Sequence, residues 1–269
     1  MIEVERLRKT FHDRKRGEIP AVKDISFTCP PGKVFGLLGR NGAGKTTTLR
    51  MLATILVPTS GTARVAGHDI LQRPADVRRS IGYLSGDTKL YDRLTGRDLL
   101  EYFGALAGMS PQKVRSRIDE LTGPFDLQEI LIKRVGRMST GMKQRLSIAR
   151  VIFHEPQVLI FDEPTAGLDV IGARTVLDLV LDLKQKGRTV IFSTHIMTEA
   201  ERICDEIAII EQGDILAQGT LDSLKRRGAY ASLEDAFIDI VRRAGGDGNG
   251  GNGDRAGEFR SPVGAHSDR

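Results

Sequence analysis

Eight consecutive residues constrain this chain more than any others. They are Gly39-Arg40-Asn41-Gly42-Ala43-Gly44-Lys45-Thr46, and they follow the apolar run Val34-Phe35-Gly36-Leu37-Leu38. A glycine-rich turn between a strand and a helix is the phosphate-binding loop pattern. Glycines allow backbone angles that turn successive N–H groups toward one anion. A helix starting near Lys45 aims the positive end of its dipole at the same place. Lys45 adds a point charge for β- and γ-phosphates, and the Thr46 hydroxyl is placed to ligate Mg²⁺. The pattern predicts a nucleoside triphosphate as the substrate class. The competing reading, a plain glycine-rich turn, is weakened by the strand and helix signals on either side.

Composition sets outer bounds. A chain of 269 residues suits one large domain or two small ones, with a sizeable core. No apolar run approaches the ~18 residues that a membrane-spanning helix needs. The first residues, Met1-Ile2-Glu3-Val4-Glu5-Arg6, lack the basic-then-apolar order of a secretory signal. Cys29 and Cys204 are too few for a disulfide framework, which fits a reducing compartment. A net charge of +5 is mild for this length and selects no partner by itself.

Periodicity predicts an antiparallel N-terminal region, with strands at Ile2–Leu7 and Ala21–Phe27 and an exposed basic hairpin loop at Asp13–Gly17. Residues 61–70 read as one further strand bounded by turns. The middle reads as helical. Thr95 and Asp98 have capping-box spacing, and Leu99, Leu100, Phe103 and Leu106 recur at helical intervals. Ser110-Pro111 starts a second helix, which Gly123-Pro124 breaks. In the last third, the short apolar runs Val158–Phe161 and Thr189–Thr194 predict buried parallel strands. Val176, Leu177, Leu179, Val180 and Leu183 form the helical face between them, ahead of Gly187 as C-cap. A hairpin at Ile207–Ala217 and a helix at Ser232–Arg243 follow. From Gly245 the composition turns to Gly, Asn and Asp with few apolar residues, which predicts a disordered tail over 245–269.

Three further groups carry chemistry. The strand ending Phe161-Asp162-Glu163 delivers two adjacent carboxylates to its C-terminal end, where ligands sit in open α/β sheets. Asp162 would hold Mg²⁺, and Glu163 would accept a proton from the attacking water. The alternative is that both acids only cap the next helix. His195 ends the run Phe192-Ser193-Thr194, so it would emerge at the same edge and reach the γ-phosphate. Ser139-Thr140-Gly141 opens a second helix and makes a second candidate anion site. Two phosphate-binding helix starts so far apart could serve one γ-phosphate if they came from two chains.

Together these motifs resemble the ATP-binding subunit of an ABC transporter, over about residues 1–240. Gly39–Thr47 matches the family's Walker A loop, and Thr47 joins the nucleotide-binding set on that ground. Ser139 and Gly141 sit in the place of the signature motif. Asp162-Glu163 matches Walker B with its catalytic glutamate, Ala166-Gly167-Leu168-Asp169 the D-loop and His195 the switch histidine. Phe11 falls where the family carries an aromatic that stacks on adenine. The nearest likeness is to ABC-2-type exporters of the sodium- and drug-extruding group.

The resemblance implies an α/β fold: a RecA-like P-loop NTPase core, an antiparallel β-subdomain and an inserted helical subdomain at about 90–155, all within residues 1–244. It implies ATP and Mg²⁺ as ligands and Lys45, Glu163 and His195 as catalytic groups. It implies a separate transmembrane permease, a second ATP-binding subunit in an ATP-dependent homodimer, no nucleic acid, and a peripheral place on the cytoplasmic face of the membrane. The sequence departs from the family at Met138, Thr140 and Met142 in the signature. Gly86 stands where the family's Q-loop glutamine usually lies, so that role is carried to no residue. A soluble ABC ATPase acting on nucleic acid usually has two cassettes or a coiled-coil insert, and this chain has neither.

Overall fold

Residues 1–15, 17–86 and 90–246 are described by a computed structural model. The chain opens with a long antiparallel hairpin, β1 (Ile2–Asp13) and β2 (Gly17–Cys29), whose register slips between Val4 and Thr10. β3 (Val34–Leu38) then leads through the phosphate loop into α1 (Lys45–Leu52). The predicted single strand at 61–70 is instead two: β4 (Ser60–Val65) and β5 (His68–Asp69). Positive φ at Ala66 (52°) and Gly67 (80°) makes the tight turn between them, as antiparallel two-residue hairpins require. Alternation alone did not show where the strand folds back.

α2 (Pro74–Ser80) and β6 (Ile81–Leu84) were not predicted; both are short. The helical stretch comprises α3 (Gly96–Leu106), α4 (Pro111–Thr122), α5 (Gln128–Ile132) and α6 (Thr140–Ile152). The predicted caps are in place. Thr95 and Asp98 form the full capping box, and Ser110 Oγ accepts from Lys113 N. The chain then alternates through β7 (Val158–Asp162), α7 (Val170–Gln185), β8 (Thr189–Thr194) and α8 (Met197–Ile203). It closes with β9 (Glu206–Glu211), β10 (Asp214–Gly219), α9 (Leu221–Arg226) and α10 (Leu233–Gly246). α10 thus includes the first two residues of the expected tail, and 247–269 lie outside the described residues.

The first sheet is antiparallel, ordered β2-β1-β4-β5, and the second runs β10-β9-β3-β8-β7-β6. In the second, β3, β6, β7, β8 and β9 are parallel to their neighbours, and only β10 turns back. Its central strands are buried on both faces, which is why they read as continuous apolar runs. The period of two still sorts their side chains. Leu159, Phe161, Val190 and Phe192 pack with the helices α3, α4, α6 and α7, while Ile160 and Ile191 pack with α1 and the antiparallel sheet. Phe27 and Phe35 stack across that second layer, with ring centroids 4.7 Å apart. A third cluster seats α8, α9 and α10 on β9 through Ile207, Ile209, Leu224 and Phe237. Each fully buried side chain of this size contributes roughly 1.5–3 kcal/mol.

The register has one consequence for chemistry. Leu38 lies beside Thr194, Asp162 beside Ser193, and Leu84 beside Phe161. Gly39, Glu163, His195 and Ser85 therefore all leave the sheet at one edge.

Candidate functional site

The phosphate loop begins at Gly39, whose N–H donates to Thr194 O at 3.3 Å. Gly42 (φ 82°) and Gly44 (φ 108°) take left-handed backbone angles, the conformation that gathers N–H groups around an anion. Gly39 is glycine for a different reason. A Cβ there would stand 2.2 Å from Ile210 O and 2.9 Å from Ile210 Cγ2. Gly39→Ala is expected to displace the loop and cost roughly 1–3 kcal/mol, the range for over-packing. A melting temperature within a degree of the unsubstituted chain would refute that.

Lys45 is almost fully buried, at 4% exposed. Its Nζ donates to Gly39 O (2.7 Å) and Arg40 O (3.0 Å) and pairs with Glu163 Oε1 at 3.2 Å. The ammonium thus sits inside the curl of the loop, with the carboxylate of β7's end beside it. Glu163 Oε2 lies 3.4 Å from His195 Nδ1. Glu163 itself has φ 48°, a left-handed angle uncommon for a residue with a side chain. Such outliers cluster at functional sites, where the surroundings hold them.

Asp162 and Thr46 meet directly: Thr46 Oγ1 donates to Asp162 Oδ1 at 3.1 Å. Ser193 Oγ also donates to Asp162 Oδ1, at 2.8 Å, and accepts from Glu163 N at 3.1 Å. Burial pushes the Asp162 carboxyl above its ordinary value, against the Ser193 and Thr46 hydroxyls that pull it back. A hydroxyl and a carboxylate at this spacing suit Mg²⁺, which takes few protein oxygens and completes its shell with water and phosphate. Among the described residues no group of three His, Cys, Asp or Glu side chains is placed to hold a metal alone.

The structure brings Lys45, Thr46, Asp162, Glu163 and His195 to one point. A cleft of ≈310 Å³ there is lined by Asn41, Gly42, Thr47 and Glu163, with Ala21 of β2 opposite. Three expected residues lie elsewhere. Phe11 is exposed on the β1–β2 arm, opposite Ile19, with Lys9 Nζ 5.3 Å from its ring centroid, and it does not line that cleft. Ser139 and Gly141 line a separate cleft of ≈600 Å³ with Gly167, Leu168 and Asp169. Ser139 Oγ accepts from Met142 N at 3.2 Å and caps α6. A Cβ on Gly141 would meet nothing within 4 Å, so nothing inside the chain requires glycine there. Gly86 also has room: its Cβ would come only to 3.8 Å of Asp162 O.

Sequence reasoning missed Ser193 and Gln144. Ser193 could have been found as the hydroxyl preceding Thr194-His195 on a strand expected to lie beside Asp162. Gln144, whose Nε2 donates to Pro164 O and ties α6 to the turn after Glu163, has no local signal.

Residues 22–166, more than half of the chain, match the family described as ABC transporter. The ABC transporter ATP-binding protein NatA of Bacillus subtilis is 41% identical over 244 residues, covering 90% of this chain and 99% of NatA. The doxorubicin resistance ATP-binding protein DrrA of Mycobacterium tuberculosis is 40% identical over 242 residues, covering 90% of this chain and 71% of DrrA. A solved ATP-binding subunit of an ABC transporter superposes with a TM-score of 0.80 at 30% identity, over 90% of this chain and 99% of that one. A dimeric ATP-binding cassette bound to ADP and Pi shares the fold, with a TM-score of 0.75 at 23% identity over 82% of this chain and 99% of that one. Identity of this order along nine-tenths of the sequence, on the same fold, admits one assignment: the chain belongs to the ABC transporter family, as an ATP-hydrolysing, ATP-binding subunit.

Proposed function

We propose that this chain drives export of a substrate across the membrane through a separate transmembrane permease, as one of two like subunits held at the cytoplasmic face. Its ATP-binding domain spans residues 1–244, with the helical subdomain at about 90–155. The backbone of Gly39, Arg40, Asn41, Gly42, Ala43, Gly44, Thr46 and Thr47 and the Lys45 ammonium cradle the phosphates. Phe11 offers an aromatic face to the adenine. Thr46 and Asp162 would hold Mg²⁺, which would supply positive charge against the phosphates. Glu163 takes a proton from the attacking water. His195, on the opposite side of Glu163 from Lys45, holds the γ-phosphate edge.

The observation that carries the two-subunit reading is the separation of the clefts. The cleft at Lys45 and the cleft at Ser139 share no lining residue, which supports a γ-phosphate held between two chains. Phosphoryl transfer is stabilised by donors on several sides of the transferring group. The open space at Gly141 supports close approach by a second copy's nucleotide at that point.

A third cleft, of ≈970 Å³, supports the permease. It lies between α2 and β6 on one side and α3, α4 and α6 on the other. Arg78, Arg79, Lys113 and Arg150 line it together with Phe103 and Leu106, and among the described residues no acidic side chain lines it. That chemistry suits an apolar helical segment carrying Asp or Glu.

The test is assembly. Glu163→Gln protein with saturating Mg-ATP is expected to dimerise in light scattering, and with ADP to remain monomeric. Adding Ser139→Arg should block the dimer while the monomer still binds ATP. Ser139→Ala, which loses the same helix cap at a cost of roughly 1 kcal/mol, should still dimerise. Dimerisation of the Ser139→Arg protein would refute the shared site.

A further inference from the structure

Among the described residues three charged side chains are buried: Lys45 (4% exposed), Asp162 (4%) and Glu199 (5%). The first two belong to the nucleotide site. Glu199, in the first turn of α8, has no part in it so far. Burying a carboxylate is costly unless it is hydrogen-bonded, so its position needs a reason.

Its partner is Thr194, itself 2% exposed. Thr194 Oγ1 donates to Glu199 Oε2 at 2.6 Å. The same hydroxyl oxygen accepts from Ile196 N at 3.0 Å, which closes a turn around His195. The Thr194 carbonyl meanwhile accepts from Gly39 N, the first N–H of the phosphate loop. A hydroxyl has one proton. While Glu199 takes it, the lone pairs of Thr194 Oγ1 are left facing the Ile196 N–H. Without Glu199 the proton is free to rotate and compete with that N–H. The turn that aims the His195 ring at Glu163, 3.4 Å away, would then loosen.

We infer that Glu199 is a positioning residue, which acts through Thr194 to set the orientation of His195 at the γ-phosphate edge. The inference rests on the role given to His195 above. Glu199 touches no reacting atom. Its effect is on the geometry of a group that does.

The experiment is a mutant cycle on ATP turnover by the full chain, with nucleotide affinity measured alongside. Glu199→Ala is expected to lower turnover about tenfold, less than the ~10²-fold that a 1 Å misplacement can cost. Affinity for ATP should change by less than about twofold, because the phosphate cradle is untouched. Glu199→Gln should restore most of the rate, since its amide oxygen still accepts from Thr194 Oγ1. Thr194→Val, which removes both bonds with little change of volume, should match Glu199→Ala and provides the same comparison if the alanine variant folds poorly. In a His195→Ala background, Glu199→Ala should bring no further loss, because residues acting as one unit are not additive. Losses that multiply in the double variant would overturn the inference, as would failure of Glu199→Gln to rescue. Unaltered turnover in His195→Ala alone would instead refute the role of His195, and the inference with it.

Discussion

Glu163→Gln is expected to slow ATP turnover by roughly 10²-fold or more while nucleotide still binds. The carboxylate stands between Lys45 Nζ at 3.2 Å and His195 Nδ1 at 3.4 Å. Its backbone is held by Ser193, through Glu163 N to Ser193 Oγ at 3.1 Å and to Ser193 O at 3.2 Å. Glutamine keeps the size and the backbone bonds but cannot accept a proton from water. Binding survives because Lys45 still has the Gly39 and Arg40 carbonyls to hold it. Losing the ion pair to Glu163 also leaves the ammonium more available to a phosphate, so ATP affinity should hold or rise. Single-turnover hydrolysis and fluorescent-nucleotide titration measure the two quantities separately. Hydrolysis at the unsubstituted rate would remove Glu163 from the chemistry.

Lys45→Ala is expected to abolish productive ATP binding without unfolding the chain. The side chain contributes through charge, as its 4% exposure and three polar contacts indicate. A hydrogen bond to a charged group is worth roughly 1.5–3 kcal/mol, and without the ammonium Glu163 would also face the incoming phosphate directly. Together these amount to about 10²-fold in affinity. α1 itself should persist, because alanine is a good helix former and Leu49, Met51 and Leu52 remain in the core. Titration with labelled ATP and a melting curve on the same sample decide it. Binding within about threefold of the unsubstituted chain, with the fold intact, would contradict the role given to Lys45.

The parts of this protein that were legible in its sequence share a cause. The glycine-rich loop is a local device: Gly42 and Gly44 can adopt left-handed angles because they carry no Cβ, and that is visible in the sequence. Helix starts were legible where a side chain closes back on its own backbone, as at Thr95, Ser110 and Ser139. Buried strands were legible where three or four apolar residues run together, as Val158–Phe161 in β7 and Val190–Phe192 in β8. α2, α5, α8 and α9, of five to seven residues, span too few turns for a periodic signal. The fold-back at Ala66–Gly67 escaped because β5 has two residues, too few to read as a strand of its own.

What the sequence determined by itself was therefore the set of groups on offer: a glycine-rich loop ahead of a helix, a strand ending in two carboxylates, a histidine at another strand end. Which of these meet was decided by the tertiary structure. Thr46 and Asp162 lie 116 residues apart and share a hydrogen bond, while Ser193 reaches Asp162 across a strand pair. No periodicity specifies such partners, because a side-chain period says which face is buried and not what is buried against it. The order β3-β8-β7-β6 supplies the neighbours, and the parallel direction brings their C-terminal ends to one edge. The same packing keeps Ser139 at a different cleft from Lys45 and buries Glu199 under the histidine turn. Those placements follow from minimising exposed apolar area over the whole chain at once, which no local window of residues contains.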